Sequence, residues 1–169
     1  MDDLSEMTAV SGPFNSPVEV GLRALVVLTA SHPRGHGLHR LTVLDYLVVH
    51  SDDAPDGPPG LHPQTPYRAG ELLLRRGVLE QGLLLYQSRG LVERRFEPDG
   101  VFYAATDGAA AFLDVFTGGY VKVLRDRATW VTEHFSSISD DTLFEHVDGW
   151  IGEWGAEFTQ ASVLHEELT

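Results

Sequence analysis

The sequence predicts a mainly α-helical fold with a small β-hairpin: a winged-helix-like domain extended by C-terminal helices. Three observations predict it. Residues 67–116 read as a long helix, two short β-prone runs about a turn, and a return helix. Two helices precede this stretch and two amphipathic helices follow it, which places three helices ahead of the hairpin.

In chain order, residues 1–15 are polar, acidic and contain Gly and Pro, the composition of a frayed arm. Residues 16–117 form the expected core. Ser16, Pro17 and Glu19 supply an N-cap, a proline at the first helical position and a capping-box acid. The helix they start has Val20, Ala24, Val27 and Leu28 on its apolar face, and His32-Pro33-Arg34-Gly35 ends it. A second helix runs from Leu38 to about His50 through Leu41, Leu44, Tyr46, Leu47 and Val48. Residues 51–66 are a proline-rich connection, much longer than the usual two to eight residues between helices. Its prolines stiffen it, so it either presents Leu61 and His62 to a partner or is an inserted surface loop.

The third helix carries Leu72, Val78, Leu79, Leu83 and Tyr86 and stops at Ser88-Arg89-Gly90. Two β-prone runs, 91–96 and 101–105, flank Glu97-Pro98-Asp99-Gly100 and make the hairpin. Thr106 or Asp107 is placed to cap a return helix with Ala110, Phe112, Leu113 and Phe116. Residues 118–169 are read as C-terminal helices packed on the core. The first has Tyr120, Leu124, Ala128, Val131 and Phe135 on one face. The second starts at Ser139 and carries Leu143, Val147, Trp150, Trp154, Phe158 and Ala161. Its stripe covers the chain's own core or serves as a docking or dimerisation seam.

Composition bounds the function. The chain has 169 residues, enough for one real core, and 43% hydrophobic residues, which excludes wholesale disorder. No run approaches the ~18 consecutive apolar residues of a membrane span, and the acidic N-terminus lacks a signal-like core, so a soluble cytoplasmic protein is expected. The absence of cysteine removes disulfides, thiolate nucleophiles and cysteine-based zinc sites. The net charge of −13 opposes nucleic acid, whose binding depends on neutralising phosphates. Its distribution matters too. No Lys or Arg follows Arg127, whereas Arg68, Arg75, Arg76, Arg89, Arg94 and Arg95 make up half of the 12 basic residues.

These six arginines are the candidate partner-or-DNA-binding set. Arg68, Arg75, Gly82 and Arg89 recur every seven residues and so share a face of the third helix, with Gly82 baring backbone there. That face meets DNA, meets an acidic protein surface, or pairs internally, as Glu71 can with Arg75. Glu145, Asp148, Glu153 and Glu157 form an acidic docking face on the last helix, or a solvated one. A metal site at His32, His36 and His39 lacks a nearby carboxylate and an HExxH arrangement, so surface histidines are the better reading and no metal or cofactor is expected. His50-Ser51-Asp52-Asp53 has the residue types of a nucleophile triad but the placement of a helix end. There is no Gly-x-Ser-x-Gly elbow and no phosphate loop, and the sole lysine is Lys122, so an enzyme is not supported.

The ordered runs 17–25, 45–51 and 61–63, and above all Arg68-Ala69-Gly70-Glu71-Leu72-Leu73-Leu74-Arg75-Arg76 with Gly82-Leu83 and 88–92, resemble the middle component of three-component ABC-ATPase systems. The resemblance spans about residues 17–158. It implies a small non-enzymatic adaptor between an SMC-like ABC ATPase and an effector, often a nuclease, as in Lamassu-type bacterial antiphage defence. DNA would be engaged through the complex, no catalytic residue carries over, and homodimerisation stays open. The alternative from the residues themselves is a MarR-like winged-helix transcriptional regulator. A hydrolase using His36, His39 and Asp52 ranks third.

Overall fold

The structure, a computed structural model, describes residues 16–63 and 68–151. Their order is α1 (Pro17–Ser31), α2 (Leu38–Val49), a 3-10 turn (Ser51–Asp53), α3 (Arg68–Ser88), β1 (Val92–Glu97), β2 (Gly100–Ala105), α4 (Ala109–Asp114), α5 (Gly119–Phe135) and α6 (Asp140–Ile151). The fold is mostly helical with a small antiparallel hairpin, as its hydrophobic periodicity predicts. The expected arm at 1–15 and the chain beyond Ile151 lie outside the described residues.

Local chemistry explains the boundaries. Ser16 Oγ accepts the Glu19 amide at 3.3 Å, and Pro17 occupies the first turn of α1, where its missing N–H costs nothing. Helix α3 ends in a Schellman arrangement. The Leu91 amide donates to the Tyr86 carbonyl and the Gly90 amide to Gln87, while Gly90 adopts φ +73°, open to glycine without a Cβ penalty. The hairpin pairs Val92 with Ala105 through Glu97 with Gly100, leaving Pro98 and Asp99 as its turn. A backbone bridge joins His36 to Tyr103, each amide donating to the other's carbonyl at 2.8 Å, so the link between α1 and α2 lies along the free side of β2.

Three expectations are corrected at this level. Helix α4 ends at Asp114, so Phe116 lies past it and is 41% exposed. Neither Thr106 nor Asp107 caps α4 through its side chain, and Gly108 is the N-cap. The Thr106 hydroxyl instead donates to the Gly90 carbonyl at 2.7 Å, tying the end of β2 to the end of α3. Tyr120 is 43% exposed, and Val121 takes the inward position beside Leu124, Ala128, Val131 and Phe135.

One hydrophobic cluster draws on every helix and on both strands. Leu25, Val27, Leu28, Leu41, Leu47 and Leu79 are wholly buried in it, and Leu143 and Val147 of α6 join them. The first half of the C-terminal stripe therefore covers the chain's own core. The Trp150 side chain and residues 154–161 lie outside the described set. Helices α1 and α3 cross at Gly21 and Gly82, where a Cβ on Gly82 would stand 2.8 Å from Gly21 Cα and 2.7 Å from the Pro17 carbonyl oxygen. Only glycine allows the two backbones that approach.

Candidate interaction surface

Beneath the proline-rich connection lies a buried charge network. Asp45, near the middle of α2, is fully buried and receives Arg23 Nε at 2.9 Å from α1 and Arg75 Nη1 at 2.8 Å from α3. Both arginines are themselves buried. Arg23 grips both carboxylate oxygens, with Nη2 at 3.3 Å from Oδ2, and Arg75 lies over the Tyr46 ring at 5.8 Å. Burial pushes the Asp45 carboxyl up, but the two guanidinium charges and their hydrogen bonds outweigh it and hold the group below the usual carboxylate range. The network thus clasps α1, α2 and α3 in the middle of the core.

The connection 51–63 is fastened over this region. The Tyr46 hydroxyl donates to Asp53, Ser51 Oγ donates to the Pro58 carbonyl, and Arg127 of α5 donates twice to the Pro59 carbonyl. The Leu61 and His62 amides share the Val49 carbonyl at 2.9 and 3.1 Å. Leu61 packs against the core, and His62 Nε2 is 3.0 Å from the Tyr120 hydroxyl with the two rings within 7° of parallel. Burial, then the nearby Arg23 and Arg75, bring the His62 pKa down to about 4. Both side chains therefore turn toward the chain itself rather than projecting from it.

The arginine set divides in the same way. Arg75 is not part of an outward face, because the heptad line through Gly82 points at α1 and carries Arg75 into the ion network. Arg76 is half-buried, and the Arg68 side chain is outside the described set. Arg89 and Arg94 are exposed. Arg95 is held by Glu93 at 2.8 Å and by the Pro33 carbonyl at 2.9 Å. Arg94 instead lies over the Phe96 ring at 5.1 Å, on a hairpin where Phe96 is 74% exposed.

The model of the ABC-three component (ABC-3C) system Middle Component 2 family matches residues 13–157. The chain belongs to this family. Neither the curated proteins nor the solved structures contain a match. The matched region of this middle component takes in all the elements described above.

Elsewhere on this middle component, Arg34 and Arg40 fasten the corner between α5 and α6. Arg34 donates to the Ser136 carbonyl, while Arg40, itself buried, donates to the carbonyls of Phe135 and Ile138 and to Asp140. Guanidinium groups at a helix C-terminus satisfy carbonyls the helix leaves open and favour its dipole. Of the acidic face, Glu145 is exposed, the Asp148 side chain is outside the described set, and Glu153 and Glu157 lie beyond it. The histidines and Asp52 considered for hydrolysis are not brought together. His36 is buried against Ser31, and His39 stacks on Phe144 with centroids 4.1 Å apart. Asp52 lies past the far end of α2, whose 12 residues span about 18 Å. Among the described residues no group of three His, Cys, Asp or Glu is arranged to hold a metal, and no helix is long and apolar enough to cross a membrane.

Arg23, Asp45, Arg34 and Arg40 are not among the candidate site residues of the sequence. A signal exists for the first two, since each is a lone charge inside an otherwise apolar helical run, Leu22-Arg23-Ala24-Leu25 and Val43-Leu44-Asp45-Tyr46-Leu47. A buried charge is tolerated only when paired, so two opposite ones in neighbouring helices point to each other. The residues Arg34 and Arg40 reach lie some 100 positions away, and no local pattern reports such a partner.

Proposed function

We propose that this chain is a non-enzymatic adaptor that links an SMC-like ABC ATPase to an effector, a nuclease by our reading, in a bacterial antiphage system of the Lamassu type. The single observation that carries the reading is the family match over residues 13–157, because a middle component works among partner proteins. The chemistry of the site supports it. The charged groups at the centre of the molecule, Arg23, Asp45 and Arg75, hold helices together, and His36 and His62 are engaged by Ser31 and Tyr120. Cytoplasmic residence follows from the same role.

The test is co-expression with the ATPase and effector of the same system, followed by co-purification and a mass for the assembly. A stoichiometric complex containing this chain is the expected result. A chain that purifies free of both sinks the adaptor reading.

A second reading, a winged-helix regulator of the MarR type, is favoured by one observation. The His36–Tyr103 bridge adds a third strand-like segment to the hairpin, after α1 and before α2, in the order such domains use. Against it, the third helix turns its heptad face toward α1, so the helix that would enter a groove has Arg75 committed to Asp45. A homodimer that retards duplex DNA in a salt-sensitive manner would favour the regulator.

A further inference from the structure

We infer that the hairpin face carrying Arg94, Phe96, Val101 and Tyr103 docks a protein segment presenting a bulky apolar side chain beside a carboxylate, supplied by another component of the ABC-3C system. The inference rests on the adaptor reading and names the surface by which the chain engages its partner.

Successive side chains of a strand point to opposite faces, and paired residues share a face. The register Arg94 with Tyr103 and Phe96 with Val101 therefore groups these four on one side of the hairpin. Glu93, Arg95 and Glu97, with Phe102, occupy the other side, where Arg95 is bound to Glu93 and to the Pro33 carbonyl. That second side lines a cleft of about 350 Å³ with Arg34, Arg40 and Asp140. Charge is thus segregated between the faces. Both carboxylates of the strands lie on the cleft side, and the opposite side keeps one cation amid apolar groups.

The exposed face is unusual for a solvated hairpin. Phe96 is 74% exposed and its cross-strand neighbour Val101 41% exposed, while at the base of the same face Val92 and Ala105 are buried in the core. Arg94 makes no ion pair among the described residues and lies over the Phe96 ring at 5.1 Å. An aromatic ring and a guanidinium side by side on a rigid strand are the residue types that dominate binding energy at protein interfaces. The partner chemistry follows by complementarity: an apolar group for Phe96 and Val101, and an anion for Arg94.

The anion belongs to a protein rather than to a nucleic acid. Residues 92–105 carry three carboxylates, Glu93, Glu97 and Asp99, against two guanidinium groups, and the whole chain has a net charge of −13. Phosphate backbones are bound by surfaces that neutralise them, which a net acidic hairpin on an acidic chain does not. A second copy is also disfavoured, because symmetric pairing of this face would set two Arg94 cations together with no carboxylate between them.

The test measures affinity of the full-length chain for the purified ATPase and for the purified effector of its own system, by calorimetry at physiological salt. Phe96→Ser and Arg94→Glu change exposed side chains, and circular dichroism confirms their fold. Each is expected to weaken binding to one component at least ~10-fold, whereas Glu97→Gln on the opposite face leaves it unchanged. Wild-type affinity in both Phe96→Ser and Arg94→Glu would overturn the docking face and leave the adaptor reading intact. Failure of the wild-type chain to bind either component would overturn both. Retardation of duplex DNA that Phe96→Ser abolishes, or a homodimer that it dissociates, would replace the protein segment with nucleic acid or with a second copy and so overturn the inference.

Discussion

Asp45 is the residue on which most of the internal electrostatics turns. It is fully buried between two buried arginines and supplies each guanidinium with an opposite charge in a medium that solvates charge poorly. Removing one member of a buried ionic set strips a compensating charge from the others, and Asp45→Ala should destabilise the chain by about 3–5 kcal/mol in urea unfolding. Arg75→Ala should be costly by the same mechanism, and a stability equal to wild type would show that Arg75 is available for a partner after all. Histidine sets a pH dependence at the same scale. His36 is lowered to about 4 by burial and by Arg40 and Arg34, and His62 to about 4 by burial and by Arg23 and Arg75. Their unfolded values lie near 6.5, so between about pH 6.5 and 4 the unfolded chain binds more protons than the folded one. The stability these residues contribute is present above that window and is lost as pH falls through it. Asp45 adds to the loss only below its ordinary value of about 3.9. The urea midpoint should therefore decline from pH 7 to pH 4.5, and less steeply in His62→Gln.

At the scale of elements, the crossing of α1 and α3 decides which side of α3 is available. Seven-residue spacing groups Arg75 with Gly82, but spacing carries no information about which way a face turns. The Gly21–Gly82 approach turns it inward. Gly82→Ala would put a methyl group within 2.8 Å of backbone on α1, and backbone cannot move aside as a side-chain tip can. A cost of about 1–3 kcal/mol is expected, read as a lower thermal midpoint. Gly77, on the same helix, has nothing within 4 Å of its Cβ position. Gly77→Ala should raise stability by about 0.5–1 kcal/mol through the ordinary helix preference for alanine. Opposite signs for two identical substitutions on one helix would isolate the packing effect from propensity. The connection 51–63 shows the same limit. Its prolines announce a stiff segment, yet its fastening to Arg127 and Tyr120 of α5, which turns Leu61 and His62 inward, is visible only when α5 is in place.

For the whole molecule, charge and shape separate two kinds of partner. A net charge of −13 repels phosphate backbones at a distance, and the described arginines are largely spent on internal partners: Arg23 and Arg75 on Asp45, Arg34 and Arg40 on the α5–α6 corner, Arg95 on Glu93. The free chain is expected to leave duplex DNA unshifted in a gel at physiological salt, and a salt-sensitive shift would contradict that. Capping, turn chemistry and periodicity act among residues within one or two turns of each other, so the start of α1, the stop at Gly90, the hairpin and most of the amphipathic positions are legible in the sequence, whereas the cap of α4 and the outward turn of Tyr120 are not. The sequence also carried the family, whose model follows ordered motifs along the chain. Which arginines are spent inside is set by how the helices pack. The choice between Arg75, which meets Asp45 across 30 positions, and Arg94, which stays on an open strand face, depends on long-range contacts made when the helices pack.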